Sequence, residues 1–193
     1  MFEALLVPTL IVALAEIGDP TQLLALILAA RYRRPWPIIW GIVIATLANH
    51  FIAGALGNWL ASLIPAQWLA WILAGCFLAV AAWTLIPDKL DDDEDTPRRF
   101  GPFVATLIAF VLAEIGDKTQ IATVMLAAQY DHLVLVVAGT TLGMLAANVP
   151  VVLAGNFAAE KLPLKLIHRL AALAFLLLAI YAGWEAWQLG QGA

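Results

Sequence analysis

The chain has 193 residues, 63% of them apolar and 12% charged, with 14 Asp and Glu against 10 Lys and Arg for a net charge of −4. Soluble domains carry about 45–50% apolar and about 25% charged residues, so this composition excludes a water-soluble globule. The acidic balance argues against a nucleic-acid partner, which calls for a basic face.

A helix needs about 20 apolar residues to cross a bilayer, and apolar runs bounded by charges, Pro and Gly predict six such spans. The first, Leu5–Ala30, runs on past Glu16 and Asp19 without a small-residue cleavage site, so it reads as a retained span and not as a signal peptide. Pro37–Leu60 and Trp68–Ile86 follow. Pro87–Phe100, with the acidic run Asp91–Asp95, is the one long polar segment and reads as a linker. Phe103–Ala128, Leu133–Phe157 and Ile167–Trp187 complete the set. The expected fold is an all-α polytopic membrane protein in which residues 1–193 form a single membrane domain. The lone Cys76 supports neither a disulfide framework nor a thiolate metal site.

Sliding the chain against itself gives one clear offset, 98 residues. It superimposes Leu14-Ala-Glu16-Ile-Gly18-Asp19-Pro20-Thr21-Gln22 on Leu112-Ala-Glu114-Ile-Gly116-Asp117-Lys118-Thr119-Gln120, with eight of nine positions identical. The same offset pairs Tyr32 with Tyr130, Gly41 with Gly139, Gly57-Asn58 with Gly155-Asn156, and Pro65 with Pro163. Apolar bias would align Leu with Leu, but not these residues. The chain therefore divides into a first three-helix repeat, 1–90, and a second, 99–188, joined by the acidic linker 87–100. Three is odd, so the second copy enters the membrane from the opposite side, giving an inverted repeat of the kind found in secondary transporters.

Basic residues test that topology independently. Arg31, Arg33 and Arg34 follow the first span, Lys89, Arg98 and Arg99 lie between the third and fourth, and Lys161, Lys165 and Arg169 lie between the fifth and sixth. The loops Ala61–Gln67 and Gln129–His132, and both termini, have neither Lys nor Arg. By the positive-inside rule the three basic loops, and with them the linker, are cytoplasmic and both termini face outward. Trp36, Trp59, Trp68, Trp184 and Trp187 stand near span ends, as an interfacial belt requires.

Glu16, Asp19, Glu114 and Asp117 fall in the middle of the first and fourth spans, where an ionised Asp costs about 2.5–3.5 kcal/mol. On a continuous helix the i, i+3 spacing places both carboxylates of a motif on one face, about 4.5 Å apart along the axis. Inverted repeats bring the two faces together at the midplane, so the expected site is a cage of four carboxylates. Thr21, Gln22, Thr119 and Gln120 are candidate further ligands or supports. Hard cations such as Ca²⁺ and Mn²⁺ suit all-oxygen ligands, and without Cys or His in the motifs a site for Zn²⁺ or Cu⁺ is disfavoured. Gly18 and Pro20 predict an interruption of the first span at the motif, where unwound carbonyls can face a cation. Asn49, His50 and Asn148 sit at midspan and either complete the cation site or hold helices together by hydrogen bonds. Lys118, the one cation predicted within a span, is the candidate counter-ion for Glu114 or Asp117. Pairing with it is also the structural alternative to metal binding.

The twice-repeated pattern E-x-G-D-[KR]-[TS], here Glu16-Ile-Gly-Asp19-Pro-Thr21 and Glu114-Ile-Gly-Asp117-Lys-Thr119, resembles the cation/proton antiporter family that includes the Golgi manganese and calcium transporters of eukaryotes and the manganese exporters of bacteria. The resemblance covers essentially the whole chain. It implies export of Mn²⁺, or of Ca²⁺ in some members, in exchange for H⁺, with the four motif acids as the transport site. The bacterial inner-membrane exporters are the nearest match. Pro20 departs from the family's basic residue, whereas Lys118 keeps it.

The expected function is thus secondary antiport in a bilayer, in which a proton and a divalent cation compete for the same oxygens. No cofactor and no nucleotide is called for, since no Gly-rich phosphate loop is present. A Ca²⁺/H⁺ exchanger shares this ligand chemistry. A divalent-cation channel with an acidic ring is a more distant alternative, and an enzyme would need a second catalytic group that the motifs lack.

Overall fold

A computed structural model describes residues 2–86, 100–130, 132–154 and 164–191. Residues 87–99 of the linker lie outside this range, as does the predicted fifth span beyond Ala154. Among the described residues there are eight helices and no strand: α1 (Glu3–Glu16), α2 (Pro20–Tyr32), α3 (Pro35–Leu63), α4 (Ala66–Thr84), α5 (Pro102–Glu114), α6 (Lys118–Gln129), α7 (Leu133–Ala154) and α8 (Leu164–Gln191).

Four of these stretches, Pro35–Leu63, Ala66–Thr84, Leu133–Ala154 and His168–Gln191, are long and apolar enough to cross a membrane, and α1 with α2 passes the same test as a pair bent by 72°, a broken span or a re-entrant loop. The expected first span is thus broken, as Gly18 and Pro20 predict. The expected fourth span, Phe103–Ala128, is broken as well, into α5 and α6. The cause is common to both motifs. Gly18 and Gly116 adopt φ values of +85° and +79°, which a residue with a Cβ avoids, and the next residue, Asp19 or Asp117, is extended and caps the following helix. Pro20 then takes the first helical position of α2, where its missing N–H is not needed.

Packing is pairwise and exchanged between the halves. Helix α1 lies on α7, α5 on α3, and α4 on α8. Close approach is set by glycine: a Cβ on Gly139 would stand 2.4 Å from the Leu5 carbonyl oxygen, and one on Gly41 would stand 3.0 Å from that of Phe103. Leu5 and Phe103 are themselves 98 residues apart. Phe77, Phe175 and Leu126 fill one core, and Leu28, Ile42 and Phe110 a second. Outside, large apolar side chains such as Trp36, Phe51, Ile52, Trp68 and Trp184 are more than half exposed, the inside-out surface of a protein solvated by lipid.

Candidate metal centre

Both Asp residues act locally as helix N-caps. Asp19 Oδ2 accepts from the Thr21 N–H at 3.4 Å, and Asp117 Oδ2 accepts from the Thr119 N–H at 3.1 Å and its hydroxyl at 2.7 Å. Each motif Glu is the last residue of the preceding helix. The Glu–Asp spacing therefore comes from the break, and not, as the i, i+3 spacing predicts, from one face of a continuous helix.

The glutamines hold the break. Gln22 Oε1 accepts from the Gly18 N–H at 3.0 Å, and Gln120 Oε1 accepts from the Gly116 N–H at 2.8 Å. Gln22 Nε2 donates to the Ala147 carbonyl on α7 at 3.0 Å. Their amides thus satisfy backbone groups that the interruption frees, groups that lipid cannot satisfy. The carbonyls of Glu16 and Glu114 are likewise engaged, accepting from the Asp19 and Asp117 N–H groups.

Tertiary packing then brings the motifs together unequally. Carboxylate oxygens of Glu16, Asp19 and Asp117 lie within 4.8 Å of one another. Glu16 and Asp19 are buried and Asp117 is half-buried. Glu16 Oε1 accepts from the Thr21 hydroxyl and, at 3.4 Å, from Asn148 Nδ2 on α7, while its Oε2 has no hydrogen-bond partner among the described residues. Glu114 stands outside this group. Both of its oxygens are taken by α3, Oε1 by the Thr46 hydroxyl at 2.7 Å and Oε2 by Asn49 Nδ2 at 3.1 Å.

Lys118 crosses between the motifs. Its Nζ lies 2.8 Å from Asp19 Oδ1, with both side chains 2% exposed. The expected partners, Glu114 or Asp117, belong to its own motif; the break removes the helical i+4 relation to Glu114 and frees the side chain to reach the other half. Of the midspan candidates, Asn49 and Asn148 each hold a motif glutamate of the opposite half. His50 is fully buried with neither ring nitrogen hydrogen-bonded among the described residues. Thr46 was not anticipated. Its place three residues before Asn49, on the same face of an apolar span, is the signal that would have found it.

Three neighbouring carboxylates in a buried setting repel one another, and one lysine does not neutralise them. Such a cluster offers the oxygen ligands that can hold a hard cation. Residues 4–92 and 102–189 match the family described as divalent cation/proton antiporter GDT1.

The chain belongs to that family.

Among its relatives, a Vibrio cholerae protein named "Putative manganese exporter" is 59% identical over 170 residues, covering 88% of this chain and 84% of that one. A GDT1-like protein of Synechocystis is 29% identical over 95% of this chain and 98% of its own. The rice GDT1-like protein 3 is 27% identical over 91% of this chain and 72% of its own. No solved structure matches. Membership in the GDT1 family, together with the apolar helices, makes this a multi-pass membrane protein of a cation-transporting family.

Proposed function

We propose that this protein exports a divalent cation, Mn²⁺ above all, from the bacterial cytoplasm across the inner membrane in exchange for protons. The observation that carries this reading is the convergence of Glu16 and Asp19 from one motif with Asp117 from the other, within 4.8 Å, inside a membrane protein. The name of the Vibrio cholerae relative supports Mn²⁺ as the cargo. Ca²⁺ suits the same ligands and is the second reading.

In this mechanism the cation binds Glu16, Asp19 and Asp117, with Thr21 and Thr119 in support. Protons arriving from outside compete for the same oxygens and release it. The two halves, 1–90 and 99–188, are inverted repeats, with both termini outside and the linker 87–100 in the cytoplasm. The exchanged contacts support this arrangement: Gly139 meets Leu5 as Gly41 meets Phe103, 98 residues apart on both sides. Halves related in this way can trade conformations between access states. In the other state Glu114 leaves Thr46 and Asn49 and completes the set of four acids.

Proteoliposomes containing the purified protein test the proposal. A pH gradient should drive Mn²⁺ uptake, with Ca²⁺ and Mg²⁺ compared in parallel, and each ion moved should be accompanied by counter-movement of protons. Downhill ion flux that neither responds to nor dissipates the pH gradient would point to a channel.

A further inference from the structure

Away from the acidic centre, α4 and α8 pack antiparallel and leave a groove of about 380 Å³ between them near the C-terminal end of α4. It is within the size range of small-molecule sites. Ala81 and Ala172, both buried, form its floor, and the half-exposed Leu78, Leu85 and Leu173 form its walls. On each helix the lining residues repeat at i, i+3, i+4 and i+7, so each presents a single stripe along about two turns. One residue breaks the apolar lining. Arg169, exposed in the first turn of the candidate membrane span His168–Gln191, is the one charged residue that lines the groove.

The groove lies on a face that lipid must cover, and its contents must satisfy both the stripe and the guanidinium. Water is a poor filling for a slot lined by Ala and Leu. A helix from a second copy of this chain would fill the slot but would seal its apolar surface over the exposed Arg169 guanidinium, and taking a charge out of its polar surroundings is costly. A phospholipid meets both demands. Its acyl chain fills the stripe, and its phosphate takes the bidentate hydrogen bonds of the arginine fork at the depth where Arg side chains reach toward headgroups.

We propose that this groove is a binding site for an anionic phospholipid, with one acyl chain between α4 and α8 and the headgroup phosphate on Arg169. Selectivity comes from the headgroup. A basic side chain at an anionic membrane surface contributes enough for a preference of about fivefold over a zwitterionic lipid. The acyl chain contributes shape, because lipid tails elsewhere on the surface are as apolar as the groove.

Native mass spectrometry of the full chain in detergent, titrated with phosphatidylglycerol or phosphatidylcholine of equal chain length, tests the assignment. The unmodified protein should take up one phosphatidylglycerol about fivefold more tightly than phosphatidylcholine. Arg169→Gln should erase that preference and Arg169→Lys should retain it, while Leu173→Trp, which fills the slot, should weaken both lipids alike. Thermal unfolding separates these effects from misfolding. Equal binding of the two lipids, or a preference that survives Arg169→Gln in a folded protein, would overturn the site. So would inorganic phosphate held as tightly as phosphatidylglycerol, which would leave no part for the acyl chain, or a lipid-free dimer abolished by Leu173→Trp, which would make a second copy the occupant.

Discussion

Lys118, from the second motif, forms its buried ion pair with Asp19 of the first, 2.8 Å away. In the proposed site the lysine occupies part of the space of the cation, and it relieves the repulsion among Glu16, Asp19 and Asp117 when no cation is present. Cation binding there would displace it. Lys118→Ala should therefore raise Mn²⁺ affinity in isothermal titration and slow turnover in proteoliposomes, because the empty carrier loses the charge that lets it reorient. Pro20→Lys, which adds a competitor at the matching position of the other half, should lower affinity. Unchanged binding in both variants would return Lys118 to a packing role.

The four motif acids should not respond alike to neutralisation. Glu16→Gln, Asp19→Asn and Asp117→Asn each remove an oxygen charge from the cluster, and each should abolish both Mn²⁺ binding and export. Glu114→Gln changes a side chain whose two oxygens are already held by Thr46 and Asn49. It should abolish export while leaving binding closer to that of the unmodified protein. Glu16→Gln, Glu114→Gln and Asp117→Asn should still insert, since losing a buried charge lightens the cost of burial; Asp19→Asn removes the partner of Lys118 and should be the least stable of the four. Wild-type protection of cells from excess Mn²⁺ by any two of these variants would refute the site.

Much of this centre was legible in the sequence because the duplication copies chemistry as well as hydropathy. The 98-residue offset picks out the four acids, and Pro20 marks the first break. The second break was hidden by Lys118, an ordinary helix former; the Gly-Asp-x-Thr segment, common to both motifs, is the better signal, because it combines a left-handed residue with a helix N-cap. The removal of Glu114 from the cluster was not legible. It depends on the register of α3 against α5, set partly by the close fit of Gly41 on Phe103 and Thr106, and no local pattern reports such a register. The reach of Lys118 to Asp19 was obscured for a related reason. Sequence spacing counts helical turns that the break at Gly116 removes.

Topology offers a test that does not depend on transport. The proposed topology, inferred from arginine and lysine placement, has the linker inside and both termini outside. Single cysteines at Asp92 and Gln191, introduced after replacing Cys76, should react with an impermeant thiol reagent from opposite sides of the membrane. Labelling from the same side would refute the inverted repeat.

Proton release on binding is a further expectation. Carboxylates must be deprotonated to hold a cation, so a proton bound to the cluster beforehand leaves as Mn²⁺ enters. Titration of the detergent-purified protein with Mn²⁺ in buffers of different ionisation enthalpy should show a heat that varies with the buffer. Lowering the pH should raise the apparent dissociation constant, because protons and Mn²⁺ then compete more evenly. A heat independent of buffer would mean that the cluster binds the ion without exchanging protons.

Gly116 isolates the energetic cost of the break from that of packing. Nothing lies within 4 Å of where its Cβ would stand, yet its φ is +79°. Replacement by Ala therefore meets no steric clash with neighbouring elements, only the backbone penalty of about 1–2 kcal/mol for a left-handed residue with a Cβ. Gly57 is the opposite case: its helical backbone accepts Ala, but a Cβ there would stand 2.0 Å from the Val124 carbonyl oxygen, and forcing α3 away from α6 costs about 1–3 kcal/mol. Both variants should lower thermal stability in detergent, by comparable amounts and for different reasons. Their effects on the centre should differ. Gly116→Ala relieves its strain by winding the break toward helix, which withdraws Asp117 from its cap on Thr119 and from the cluster, so Mn²⁺ affinity should fall by about tenfold or more, the equivalent of 1.4 kcal/mol. Gly57→Ala leaves the break and the cap intact, and its affinity should stay within about twofold to threefold of the unmodified protein. Equal affinities in the two variants would mean that the left-handed glycine does not position Asp117.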